Sequence, residues 1–137
     1  MFSLTFDAKQ WTLASLVLTL GCSSAPELET WPVNGTVVDQ TGASLTSGVV
    51  RFFASDETPQ PDTHLITAGP IQTDGSFSVK THRKNFTYKG AVAGKYRLMV
   101  ITDKKSSTGD SVPVQFELPE PTTVEPRENT VAIEIRR

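Results

Sequence analysis

Cysteine, histidine and net charge are all scarce in this chain: one Cys, two His, and 13 Lys and Arg set against 15 Asp and Glu in 137 residues. A lone cysteine, Cys22, closes no internal disulfide, so no covalent staple holds the fold. His64 and His82 lack metal-ligand spacing and have no cysteine partner; only a distant pairing in space would bring them to one ion. The near-neutral balance supplies no overall electrostatic footprint for nucleic acid or for anionic headgroups. No Gly-x-Ser-x-Gly elbow, Walker-type loop, dinucleotide glycine fingerprint or EF-hand-like loop occurs. No catalytic residue, cofactor or metal is therefore expected, nor a nucleic-acid partner, and the sequence reads as non-enzymatic.

An apolar 3.6 period is also missing beyond the N-terminus, which argues against helices. What is present is punctuation. Nine glycines and nine prolines break up short runs rich in Val, Thr, Phe and Ile, the pattern of an all-β domain. The length leaves room for one such domain.

The apolar run Trp11 to Gly21 is too short to span about 30 Å of hydrocarbon as a helix, but has the length of a signal-peptide core. It ends at Cys22. The stretch Leu18-Thr-Leu-Gly-Cys22 resembles the lipobox of bacterial lipoproteins, in which the cysteine thiol receives a diacylglycerol and becomes the first residue of the mature chain. Thr19 stands where Leu is usual, Leu20 where a small residue is preferred, and Leu18 is one place early. Three readings are open: lipidation at Cys22, favoured; ordinary secretion with cleavage nearby; and an uncleaved membrane segment. The first divides the chain into a lipoprotein-type signal peptide over 1–21, a tether over 22–32 and a domain over 33–137. Such a tether reaches at most roughly 35 Å and holds the domain close to the membrane. Trp31, beside Pro32 and the first strand, is expected to pack on the domain edge rather than serve as an interfacial anchor.

From Val33 onward, extended segments alternate with turn signals. Val33 to Val38 reads as a strand. Gly48 to Ala54 carries apolar residues on both faces and so belongs in the middle of a sheet. Asp56 to Asp62, with Pro59 and Pro61, reads as a surface loop, and His64 to Ile71 as an extended segment ending at an edge or bulge. Asp74-Gly75 is the strongest local turn signal, after which Phe77 and Val79 share one face. Thr81 to Lys89 reads as a solvated hairpin-like loop or a short irregular excursion; the sharper reading is a basic and aromatic binding loop, with Phe86 and Tyr88 interleaved among His82, Arg83, Lys84 and Lys89. Gly94 to Ile101 places Tyr96, Leu98 and Val100 on one face and Arg97, Met99 and Ile101 on the other. A polar loop is predicted over Thr102 to Gly109, a short strand or extended crossing over Ser111 to Glu117, and a strand over Thr130 to Ile135 with Val131, Ile133 and Ile135 inward. The count is six or seven strands, at sandwich spacing.

Asn34-Gly-Thr-Val-Val-Asp39, Gly48-Val-Val-Arg-Phe-Phe53, Thr73-Asp-Gly-Ser-Phe77 and Gly94-Lys-Tyr-Arg-Leu-Met-Val100 together resemble the carboxypeptidase regulatory-like domain, a transthyretin-like (prealbumin-like) Greek-key β-sandwich of about seven strands. The C-terminal part from Val112 is similar to short lipoproteins of that type in planctomycete-like bacteria. The resemblance implies a fold and is nearly silent on activity, because that fold hosts carriers, hydrolases, adhesin modules and spacers. Three functional readings follow. The leading one is a non-enzymatic, lipid-anchored module of the cell envelope, on a bacterial membrane, with an envelope protein or glycan as partner. A secreted carrier of a small ligand or carbohydrate is the second. The third, a transthyretin-like hydrolase, is disfavoured: those enzymes end in a Tyr-Arg-Gly-Ser-like tail and use paired His and Arg, whereas this chain ends Glu134-Ile-Arg-Arg137.

Overall fold

The computed structural model describes residues 27–56 and 64–136. The signal-like segment, Cys22, most of the tether, and 57–63 of the proline-containing loop lie outside the described residues.

Ten strands form among the described residues, and no helix: β1 (Val33–Asp39), β2 (Val49–Ala54), β3 (Leu65–Pro70), β4 (Ser76–Ser78), β5 (Lys80–Arg83), β6 (Phe86–Lys89), β7 (Gly94–Lys105), β8 (Ser111–Glu117), β9 (Thr122–Val124) and β10 (Asn129–Ile135). They build two sheets, one of three strands in the order β10-β1-β4 and one of seven in the order β6-β5-β3-β2-β7-β8 with β9 also on β7. The all-β sandwich expected from the sequence is the fold. The strand count exceeds the expected seven because three polar stretches are strands as well.

Alternation explains which face each strand buries. In β7, Tyr96, Leu98 and Val100 are buried while Lys95 and Arg97 are exposed; in β2, Val50 and Phe52 are buried between outward Val49, Arg51 and Phe53. Val33 and Val37 of β1, Phe77 of β4, and Ile133 and Ile135 of β10 supply the opposing side of the core. Full burial of each such side chain contributes about 1.5–3 kcal/mol. Within this core the Tyr96 ring meets Phe52 edge-on at 5.7 Å, and the Tyr96 hydroxyl donates to the Val92 carbonyl at 2.5 Å. β2 lies between β3 and β7, the central place that its two apolar faces predict.

Two turns set the register. Gly75, at φ 85°, closes the Gln72–Ser76 turn with its N–H donating to the Gln72 carbonyl, and Gly94, at φ 151°, pivots the chain into β7. β1 and β10 pair in parallel over their full seven residues, a joint between the two ends of the domain that local pattern does not announce.

The structure settles two open readings, Thr81 to Lys89 and Ser111 to Glu117, and moves two boundaries, the end of β7 and the end of the tether. Thr81 to Lys89 is a paired hairpin, β5–β6, the first of its two expected readings; Thr81 and Arg83 of β5 and Phe86 and Tyr88 of β6 face inward, and only Thr81 is fully buried, so polar residues suit this margin. β7 continues through Lys105, because β8 pairs it as far as Lys105↔Ser111; beyond the core this two-stranded arm is solvated on both faces and needs no apolar alternation. Ser111–Glu117 is a strand, and Pro113 is accommodated because β8 lies at a sheet edge. Thr30 and Trp31, assigned to the tether, dock on the domain: Thr30 Oγ1 donates to the Lys89 carbonyl at 2.7 Å, Trp31 and Ala91 exchange backbone hydrogen bonds, and the indole packs against the core.

Candidate functional site

The seven-stranded sheet has one face on the core and one facing out, and the outer face concentrates positive charge. Within the body of the sheet it carries Arg51, Lys80, Lys89, Lys95 and Arg97 against one carboxylate, Glu117, although the whole chain has a formal charge of −2. Farther out on the β7 arm, Asp103 and Lys105 offset each other.

Register aligns several of these residues. Lys89 pairs with Lys80, Lys80 with Ala68, Ala68 with Arg51, Arg51 with Met99, and Met99 with Glu117, one unbroken row across six strands. At about 4.8 Å per strand the row spans roughly 24 Å. Directly opposed like charges such as Lys80 and Lys89 are unfavourable in an antiparallel pair. Neither lysine, nor Arg51, makes an ion pair among the described residues. Arg97 does: its Nη1 donates to Glu117 Oε1 at 2.9 Å, with both side chains more than half exposed. Phe53 lies between two guanidinium groups, with Cζ of Arg51 5.0 Å and Cζ of Arg97 5.9 Å from the ring centroid. Ile66, 52 % exposed, and half-buried Met99 and Ile101 fill the apolar ground between the charges.

A concavity lies at each end of this row. At the β6 end, Lys80 and Lys89 border one of about 270 Å³ that also takes in Asn34 and Ser78, whose hydroxyl donates to Asn34 Oδ1 at 2.7 Å. At the other end, Lys95 and Arg97 border one of about 440 Å³ together with Asp56 and Glu117. A third concavity, of about 610 Å³, opens between the edges β8 and β10 and is floored by Phe116 and Leu118 with Glu117, Glu134 and Arg136 around it.

The residues singled out from sequence fall elsewhere. Cys22 lies outside the described residues. Phe86 and Tyr88 are on edge strand β6 opposite Arg83 and Thr81, on the same side of the sheet as buried Thr81, and so on the face opposite to Lys80 and Lys89. Phe86 is 38 % exposed and Tyr88 half-buried, so the pair forms part of the sandwich margin rather than a projecting loop. His82 Nδ1 lies 3.1 Å from Thr87 Oγ1, and no group of three or more His, Cys, Asp or Glu could hold a metal among the described residues. Sequence reasoning passed over Arg51 and Lys80 as candidates, and counted Lys89 only among the basic residues of the Thr81 to Lys89 loop. Parity did place Arg97 with Met99, but only strand order brings Arg51 beside them.

No protein-family model matches the chain, and no curated protein matches it. Two solved structures are similar at low identity. One, a protein of Pseudomonas aeruginosa proposed to bind carbohydrate, is 14% identical over 77% of this chain and 88% of that one, with a TM-score of 0.42. The other, a 9R-lipoxygenase of Cyanothece, is 13% identical over 81% of this chain and 18% of the lipoxygenase, with a TM-score of 0.39.

Proposed function

We propose that this protein is a non-enzymatic binding module of the bacterial cell envelope, lipid-anchored through Cys22, whose working surface is the outer face of the seven-stranded sheet. The observation that carries the binding role is the segregation of charge: an acidic chain gathers Arg51, Lys80, Lys89, Lys95 and Arg97 on one sheet face, and Arg51, Lys80 and Lys89 make no ion pair among the described residues. The anchor rests on the placement of the only cysteine at the end of a signal-length apolar run. Assignment to the carboxypeptidase regulatory-like, transthyretin-like group is part of the same proposal and is supported by the Asp74-Gly75 turn into Phe77 and the Gly94 pivot into buried Tyr96.

The intact mass of the protein from the membrane fraction of its native host tests the anchor. A mature chain beginning at Cys22 and carrying diacylglycerol is expected. An unmodified soluble chain would replace the envelope module with a secreted one. In that case the groove of about 610 Å³ between β8 and β10, within the range of small-molecule sites, favours the carrier reading. A Leu118→Arg substitution in its floor would then abolish small-ligand uptake.

A further inference from the structure

We propose that the cationic row across the outer sheet face is a docking track for a linear acidic polysaccharide, with Arg51, Lys80 and Lys89 contacting successive anionic groups of one polymer chain. This rests on the binding-module reading and adds the ligand class.

Three features point to an extended polyanion. The cations lie on a line perpendicular to the strands, one strand apart between Lys89 and Lys80 and two strands apart between Lys80 and Arg51, so one chain crossing the sheet meets them in turn. At the β6 end the track opens into a concavity bordered by Lys80 and Lys89 without a carboxylate, whereas at the β8 end Lys95 and Arg97 share theirs with Asp56 and Glu117, so the cationic stretch runs from Lys89 to Arg51. The opposed Lys80 and Lys89 carry a repulsion in the free protein that an anion between them would relieve, so binding is favoured beyond the contacts it forms.

The apolar residues of the face choose between a polymer and a bilayer. Interfacial membrane binding buries an apolar surface about 5–10 Å into the headgroup region. Here exposed Val49 and Ile66 and half-buried Met99 and Ile101 share the face with the cations, and the one aromatic ring, Phe53, is flanked by two guanidinium groups. A polymer needs no insertion: charge-assisted contacts from Arg51 and the lysines, with the Arg51–Phe53–Arg97 cluster as a firm floor, are sufficient.

The test uses the whole chain carrying Cys22→Ser, so that acylation contributes nothing, and calorimetric titration with polygalacturonate, with dextran as neutral polymer, phosphatidylglycerol vesicles and single-stranded DNA alongside. Binding to polygalacturonate that weakens as salt rises is expected, with no binding to dextran. The triple variant Arg51→Gln, Lys80→Gln, Lys89→Gln should lose roughly tenfold in affinity, since three exposed charge contacts of modest strength together amount to about one decade. A variant with the same change of charge away from the track, Lys104→Gln, Arg127→Gln, Arg136→Gln, should bind as wild type. Five of the six positions are exposed and Arg51 is half-buried on the outer face, and unchanged circular dichroism and melting would confirm that both variants fold. Absence of binding to polygalacturonate, equal loss in both triple variants, or preference for vesicles or DNA over polygalacturonate would overturn the ligand class. A lipidated native protein that fails this titration would keep the anchor and lose the track; an unlipidated one that passes would do the reverse.

Discussion

The backbone N–H of Asn129 donates to the carbonyl of Pro32 at 2.9 Å and its side-chain Nδ2 reaches the same oxygen at 3.3 Å, so one residue at the start of the last strand fastens the entry to the first. The same Nδ2 donates to the carbonyls of Glu125 and Arg127, at 3.0 and 2.6 Å, while Oδ1 accepts from the Glu125 N–H at 2.9 Å. This buried amide therefore closes the β9–β10 loop and sets the parallel register of β1 on β10. Asn129→Ala should cost about 2 kcal/mol by leaving several backbone groups unpartnered. Asn129→Asp should cost more at neutral pH, because a carboxylate oxygen would face three carbonyls. Urea unfolding of both variants measures this, and an Asp variant as stable as wild type would contradict the donor role.

Gly35 is required by a different contact. It pairs with Phe77 across β1 and β4, and a Cβ placed on it would lie 2.6 Å from Phe77 Cζ, 2.7 Å from Cε1, and against the Val131 carbonyl. The Val131 carbonyl and the Phe77 ring together fill the space a side chain would take. Gly35→Ala should destabilise by about 2 kcal/mol, within the usual range for overpacking a core. Phe77→Ala should be somewhat less damaging in the Gly35→Ala background than in wild type, because it removes the ring's part of the clash while the Val131 carbonyl still meets the added methyl. Simple additivity of the two unfolding free energies would mean that the ring is not what excludes the side chain.

How much of this was legible beforehand depended on whether a residue's role is local. The Asp74-Gly75 turn, the inward set Tyr96, Leu98 and Val100, and the central place of Val49 to Ala54 all follow from alternation and turn chemistry over a few residues, and the structure bears them out. The parallel joint of β1 with β10 and the role of Asn129 were hidden, since nothing within reach of Asn129 along the chain indicates Pro32. The strands β5 and β6 and the end of β7 were hidden for another reason: their residues lie at edges or on a solvated arm, where polar composition and strand structure coexist. The cationic face was the least visible. A near-zero total charge conceals how the charges are sorted, and Lys80, Lys89 and Arg51 become neighbours only through the order β6-β5-β3-β2.

Lys84 is a residue whose backbone suits a different side chain. It begins the two-residue loop Lys84–Asn85 between the paired Arg83 and Phe86, with φ at 53°, in the left-handed region that Gly and Asn tolerate best. Lys84→Asn should raise the melting temperature slightly, and Lys84→Val should lower stability by about 1 kcal/mol because a β-branched residue fits that region poorly. The order Asn, Lys, Val in thermal unfolding is the expected result. A Val variant equal to wild type would show that the hairpin turns by another conformation.

Asp74 makes the acid limb of the stability profile predictable in sign. Its Oδ1 accepts from the Ser76 hydroxyl at 2.6 Å and from the Ser76 N–H at 3.0 Å, and these two hydrogen bonds, the hydroxyl's foremost, hold the carboxyl below its ordinary range. A carboxylate whose folded value lies below its unfolded value of about 4 contributes stability that is complete above that pH and lost as the pH falls through the folded value. Asp74→Asn keeps an acceptor in the turn and removes the charge. The melting temperature of wild type should therefore exceed that of Asp74→Asn by a constant margin from pH 7 down to about pH 5, and the margin should close below about pH 4 as the wild-type carboxyl protonates. A margin that persists undiminished at pH 2 would mean that the asparagine is disfavoured by shape alone, and the ionised acceptor would lose its part in holding the turn that leads into Phe77.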